Sequence, residues 1–179
     1  MTCGHISTFL REFLPRLGWR VRAVLCMRLE GAYDTYDNGH SLIEFYWPKF
    51  RKWVLADVDL HHMFVKGGTY LNLAEVSELV HTGRDFGLEP LTLPAVGAVD
   101  PSDAVTGDFA AYTYAEPMFA DERVLKTWYR RCFAVPFVGG DDDGWYFHCD
   151  NERDRQRILR YSSSYKLLDK RDWLKRFYA

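Results

Sequence analysis

The stretch GHSLIEFYWPKFRKWVLAD, residues 39–57, decides how this chain is read. Gly39 to Trp47 is rich in aromatic and aliphatic residues and reads as a β-strand. Trp47-Pro48-Lys49-Phe50 is a turn signal, and Lys52 to Asp59 reads as the next strand. If Tyr46 and Arg51 close a four-residue loop, Glu44 faces Trp53, Leu42 faces Leu55 and His40 faces Asp57. Directly opposed residues share one side of a sheet, with β-carbons about 5 Å apart. At that separation a carboxylate reaches an imidazole N–H, fixes its tautomer and supports its charged form. A register change of two residues puts Asp59 opposite His40 instead, on the same face. Asp57 is therefore the first candidate and Asp59 the reserve. The plain alternative is an exposed cross-strand His–Asp pair, worth a few tenths of a kcal/mol.

Before the hairpin, Ile6, Phe9, Leu10, Phe13, Leu14 and Leu17 recur at helical spacing, with Gly18 as a natural stop. Pro15 opposes the carbonyl four residues back, so the helix is expected to kink or end near Leu14. Trp19 to Arg28 reads as a strand, and Glu30 to Asn38 as a polar loop. Cys3 stands at the helix start. There the unsatisfied N–H groups and the positive end of the macrodipole both favour thiolate, the reactive form of cysteine.

After the hairpin, Asn72 to His81 reads as a helix closed by Gly83, and Gly87 to Pro117 as irregular connection. Asp121 to Arg131 reads as a helix with Val124, Leu125 and Trp128 on one face. Phe133–Val138 and Trp145–Cys149 suggest a β-hairpin around the Gly139–Gly144 run. Asp150 is expected to cap a helix through about Tyr161, and Asp169 another through Phe177. A helix, then antiparallel strands, then further helices favour an α+β fold.

Composition sets the bounds. The chain has 179 residues, of which 47% are hydrophobic, 27% charged and 16% aromatic, and its formal net charge is -2. Such a length suits a single domain, 1–179, and the aromatic content excludes general disorder. No apolar run approaches the roughly 18 residues of a membrane span, and the charge balance offers no footprint for nucleic acid. MTCGHISTFLREF lacks the basic-then-apolar order of a signal peptide, which leads to a cytoplasmic location with reduced thiols. Cys26, Cys132 and Cys149 read as small buried hydrophobes. Asp59 with His61-His62 does not make a metal site, because adjacent strand histidines point oppositely and no third ligand has metal spacing. His61 is instead a candidate to line the cleft. Asp141-Asp142-Asp143 lacks the ligand pattern of a calcium loop and reads as a solvated turn. Neither a metal nor a cofactor is expected, and Glu44 reads as a salt-bridge or cleft residue.

Cys3 followed by Leu17-Gly18-Trp19 and Arg22-Ala23-Val24, then Gly39-His40 with Glu44, then Trp53 with Asp57, resembles the transglutaminase-like superfamily. That family shares the papain-like cysteine protease fold. The resemblance covers about the first third of the chain. It implies that residues 1–60 form the core, an N-terminal helix packed on an antiparallel sheet, with 61–179 as an α/β extension of the same domain. It further implies that Cys3 is the nucleophile, His40 the general base and Asp57 the orienting acid. The implied chemistry is acyl transfer or hydrolysis at an amide of a peptide, protein or small molecule. The alternative is a catalytically weak or inactive module that binds a peptide or protein partner. The His-to-Trp spacing is one residue longer than the family's common pattern, a difference that a turn at Pro48 absorbs. Only Met1 and Thr2 precede Cys3, whereas members of that family generally carry earlier segments that help build the substrate cleft and often an oxyanion donor. Thiol acyl chemistry needs oxyanion donors. The Cys3 N–H is one candidate, with Trp19 and the Trp47 indole as candidates for the second.

Overall fold

A computed structural model of the chain describes residues 3–27, 39–91, 121–141 and 144–179. The expected Glu30–Asn38 loop, most of the Gly87–Pro117 connection and the Asp142-Asp143 tip lie outside the described residues. The first helix, α1 (Cys3–Phe13), gives way to a 3-10 turn over Leu14–Leu17. Pro15 sits in the first turn of that 3-10 segment, where its missing N–H is not needed. Gly18, at φ 84°, adopts the left-handed conformation that ends the segment, and its N–H returns to the Pro15 carbonyl at 3.0 Å.

Next come β1 (Val21–Met27), β2 (Gly39–Trp47) and β3 (Lys52–Asp57), all antiparallel neighbours. The hairpin closes one residue later on each strand than the expected Tyr46–Arg51 closure. Trp47 pairs with Lys52, and Glu44 pairs with Leu55 rather than Trp53. Pro48 explains the difference. Its fixed φ suits the second position of a turn, so Trp47 takes the first, with Phe50 N–H bonding the Trp47 carbonyl at 3.1 Å. Arg51 then takes the left-handed position, φ 52°. β3 also stops at Asp57, two residues short of the expected end.

β4 (His62–Lys66) and β5 (Thr69–Tyr70) form a hairpin over Gly67-Gly68, both at positive φ (56° and 75°). Left-handed backbone at both central residues is what a two-residue hairpin of primed type requires. Asn72 and Glu75 form a reciprocal capping box at the start of α2 (Leu73–His81). Part of the stretch expected to be irregular is the strand β6 (Gly87–Pro90), paired with β4. After α3 (Glu122–Cys132), β7 (Val135–Asp141) pairs with β1, and β8 (Gly144–Phe147) with β7. Both strands of that hairpin are offset from the expected Phe133–Val138 and Trp145–Cys149. Asn151, not Asp150, caps α4 (Glu152–Tyr161). Short β9 (Tyr165–Leu167) runs parallel to β8, and Asp169 caps α5 (Lys170–Tyr178) as expected.

The order across the sheet is β5-β4-β3-β2-β1-β7-β8-β9, with β6 beside β4. The molecule is thus α+β, with five helices among the described residues and a largely antiparallel sheet. Because strand side chains alternate, Val24, Cys26, Leu42, Leu55 and Phe64 all point to one face, under Val76 of α2, Tyr129 of α3 and Trp173 of α5. The other face carries Ile43, Ala56 and Met63 against Leu10 of α1. It also carries Met27 and Phe137 in one cluster with Ile158 of α4. Strands from beyond residue 60 therefore extend the same sheet and share its cores. No helix among the described residues is long and apolar enough to cross a membrane.

Glu44, buried on the first face, ties this assembly together. It accepts the Leu73 N–H at 2.7 Å, Arg22 Nε at 2.8 Å and the Tyr178 hydroxyl at 3.0 Å. Arg22 lies between the Trp53 and Tyr178 rings, 4.1 Å and 4.6 Å from their centroids, and donates to the Phe177 carbonyl. The acid read from sequence as a salt-bridge residue is one, and it anchors α2 and α5.

His148 is buried edge-on against Trp173, with ring centroids 4.7 Å apart. Burial and the nearby Lys170 charge push its pKa down to about 4, against the opposing pull of Asp150 and Glu78. The unfolded chain therefore binds a proton between the ordinary value of 6.5 and about 4 that the folded chain refuses. This contribution, about 3 kcal/mol when complete, is present above pH 6.5 and lost as the pH falls toward 4. Urea unfolding followed at pH 7, 5.5 and 4.5 should show a steeper loss of stability in the native protein than in His148→Gln. Equal slopes for the two proteins would mean that His148 is not held neutral.

Candidate active site

The helix that carries Cys3 buries Leu10 and Leu14 against the sheet, and its first turn contains no acidic residue to oppose a thiolate. Gly39 opens β2 where the backbone passes very close to β1. A β-carbon there would stand 2.8 Å from the Cys26 carbonyl oxygen, so only glycine keeps the pairing tight one residue before His40. His40 follows on the face that holds Leu42 and Glu44, opposite Cys26.

Asp57 comes to His40 diagonally. Continuing the β2–β3 register would set Asp57 across from Leu42 and Asp59 across from His40. The ladder, however, stops at Ile43–Ala56, and Asp57 pairs onward with His62 of β4. The cause is local. The Asp57 Oδ1 accepts the N–H groups of Asp59 and Leu60, each at 3.0 Å, which turns the chain back before a longer strand can form. Diagonal partners on one face remain within reach of long side chains, and His40 Nε2 lies 2.6 Å from Asp57 Oδ2. His40 is 4% exposed and Asp57 fully buried, so this is not the exposed cross-strand pair of the plain alternative.

An ionised carboxylate only accepts, so His40 Nε2 carries a proton and Nδ1 is the nitrogen left for another partner. The second group acting on that imidazole is the Cys3 thiol, whose thiolate is favoured by the His40 side chain and by the Ser41 backbone. The contact forms where β2 and β3 part company. A thiol carried by a helix on one face thereby meets an imidazole and a carboxylate seated on the other. Half-burial pushes the Cys3 thiol up, but the His40 hydrogen bond, the imidazolium charge and the Ser41 amide outweigh it and hold the thiol below its ordinary value. Burial likewise presses His40 toward its neutral form, while the Asp57 charge and hydrogen bond, joined by Cys3, raise it well above the usual histidine range. Burial alone would raise Asp57; His40, the Tyr129 hydroxyl and the Leu60 amide together keep it below the usual carboxylate range. The reserve acid, Asp59, is half-buried and outside this chain of contacts, and burial and the Asp57 charge push it up.

Two neighbours from α3 complete the site. The Trp128 ring meets His40 edge-on, with centroids 4.9 Å apart, and Tyr129 donates its hydroxyl to Asp57 Oδ2 at 2.6 Å. The sequence reading put Trp128 on a helix face and left Tyr129 unnamed. The available signal was chemical: a tyrosine at core spacing needs a partner for its hydroxyl. Beside Trp128 runs an open groove of about 430 Å³ lined by Val124, Thr127 and Arg131, with Asp121 and Arg123 at one end.

Other expectations are redirected. Trp47 lies seven residues along β2 from His40, about 24 Å on an extended strand. Trp19 packs on Phe45, five residues along. Neither is placed as an oxyanion donor. His61 is exposed in a turn at φ 57° and is not among the residues that line the groove beside Trp128. Among the described residues, no group of three His, Cys, Asp or Glu side chains is gathered for a metal ion. Cys26, Cys132 and Cys149 are buried, and burial, reinforced by Cys132, pushes the Cys26 thiol well up.

No family model, curated protein or solved structure matches this chain.

The geometry makes Cys3 the preferred thiol for alkylation. Near pH 7, iodoacetamide should label it at least about tenfold faster than Cys26, Cys132 or Cys149, read by peptide mass spectrometry, and His40→Ala should slow that labelling. Labelling at the rate of an ordinary exposed thiol, unaffected by the His40 change, would remove the case for an activated nucleophile.

Proposed function

We propose that this chain carries out thiol-dependent acyl transfer or hydrolysis at an amide or ester, with Cys3, His40 and Asp57 as its catalytic residues. The observation that carries the reading is the buried His40–Asp57 contact at 2.6 Å, with the Cys3 thiol near enough to the same imidazole for each to bias the other's proton. The resemblance of these residues to the transglutaminase-like superfamily, with its papain-like fold, supports it. So does the placement of an N-terminal helix on an antiparallel sheet.

The chemistry follows from the geometry. His40 Nδ1 takes the Cys3 proton, and the thiolate attacks the substrate carbonyl. Charge develops on the carbonyl oxygen near the start of α1, where the Cys3 N–H is a donor suited to it. The imidazolium then gives its proton to the departing amine or alcohol as the carbon–heteroatom bond breaks, which leaves a thioester on Cys3. Water or an amine, deprotonated by His40, attacks that thioester, and the released thiolate recovers a proton from the imidazolium. Asp57 keeps the imidazole in the tautomer that turns Nδ1 to sulfur and supports the positive charge in both halves.

Substrates of this reading are peptides, proteins or amide-bearing small molecules, and the groove beside Trp128, whose ring touches His40, is the surface we assign to them. A reduced nucleophile suits a cytoplasmic setting, in keeping with four free thiols. Incubation with a library of peptide amides and activated esters, followed by intact-mass analysis, should reveal an acyl adduct that disappears in Cys3→Ser. Asp57→Asn should slow adduct formation about a thousandfold or more. An adduct that persists in Cys3→Ser, or forms as fast in Asp57→Asn, would overturn the assignment.

A further inference from the structure

Asp57 has two oxygens in unequal positions. Oδ1 is occupied by the Asp59 and Leu60 amides, while Oδ2 receives both His40 Nε2 and the Tyr129 hydroxyl, each at 2.6 Å. Tyr129 is fully buried in a three-ring cluster with Phe64 and Phe133, whose centroids lie 4.9 Å and 5.7 Å away, so packing holds its ring in place. The two donors compete for one oxygen. Whatever electron density the phenol draws from Oδ2 is withheld from the imidazole.

We infer that Tyr129 is a positioning residue of this site, one that steadies Asp57 and limits how strongly Asp57 supports the positive charge on His40. The inference rests on the catalytic reading above and deepens it by assigning a residue that governs the site's working pH range. A merely structural tyrosine would affect stability alone. Asp57 keeps its two backbone donors when the hydroxyl is removed, so loss of alignment is the smaller consequence and the change in charge support the larger. The phenol is a reliable donor because burial and the Asp57 charge keep it protonated far above the ordinary tyrosine value. The other titratable groups facing this cluster are Cys3, Asp59, His62, Cys26 and Cys132, and none of them is substituted in the Tyr129 variants.

The experiment follows two readouts across pH 5 to 10. One is the 15N shift of His40 in histidine-labelled protein. The other is carboxymethylation of Cys3 by iodoacetate, an anion drawn to the imidazolium, whose rate falls as His40 loses its proton. Tyr129→Phe preserves the packed ring and should move the His40 titration and the falling limb upward by about one pH unit. Replacement of Tyr129 by 3,5-difluorotyrosine, a stronger donor of the same shape, should move both downward. These opposite signs keep the test decisive if one variant folds poorly. Limbs that stay in place in whichever variants fold, or that move in the same direction in both, would overturn the role of Tyr129. His40→Ala serves as the separate check: if it leaves the carboxymethylation profile of the native protein unchanged, the catalytic reading itself fails. If it abolishes the falling limb while the Tyr129 variants do nothing, only the inference about Tyr129 falls.

Discussion

A buried carboxylate organises this molecule. Removing an ionised group from water costs several kcal/mol unless partners replace the lost solvation, and Asp57 has no exposed surface. Its four donors come from three separate parts of the chain: a strand, a helix and the turn that follows β3. Each has a structural effect. The two turn amides end β3 and send the chain into β4. The Tyr129 hydroxyl draws α3 onto the sheet, and the imidazole is held in one tautomer. One electrostatic requirement thus accounts for a strand end, a helix position and the orientation of a base.

The same requirement explains why the site forms at the parting of β2 and β3. A continuous ladder would have separated the two faces of the sheet with backbone. Because pairing stops at Ile43–Ala56, the Ser41 amide and the His40 ring both reach the thiol of a helix that packs on the opposite face. Apolar packing on each face then holds the arrangement: Leu10 of α1 and Leu14 of the 3-10 turn against Ile43 and Ala56, and Tyr129 of α3 against Leu42 and Leu55. Cys26, one residue across from His40 on β1, illustrates how much depends on position. It is a thiol in the same neighbourhood, yet burial without a cationic partner leaves it protonated.

Much of this was readable from the residues. Helical spacing with Pro15 and Gly18 located the end of α1, and the aromatic run with Pro48 located the β2–β3 hairpin. The chemistry of Cys3, His40 and Asp57 pointed to one another before any coordinates. The observed register differs by two positions because propensity does not say where a four-residue loop closes; Pro48 at the second turn position is what fixes it. Asp57 was still the right partner, since a strand that ends early brings a diagonal residue where a longer one would have brought Asp59. The Gly67-Gly68 turn was a legible signal passed over. Tyr129 was not legible in that way, because the pairing of residue 129 with residue 57 is a property of packing between distant segments. The parallel β9 is illegible for the same reason: its partner is set by α4, which returns the chain to the sheet.

The Glu44 network has a bearing on how the chain reaches its native state. Arg22 and Glu44 find their last partners in Phe177 and Tyr178, 155 and 134 residues later. β1 is likewise completed only by β7. Contacts of such separation slow folding, because the chain must close long loops before the contacts reward it. The strands that carry the site therefore cannot settle as the ribosome delivers them. Their charged pair waits, hydrated, until α5 arrives, so assembly of this thiol site depends on a segment made long after its own strands.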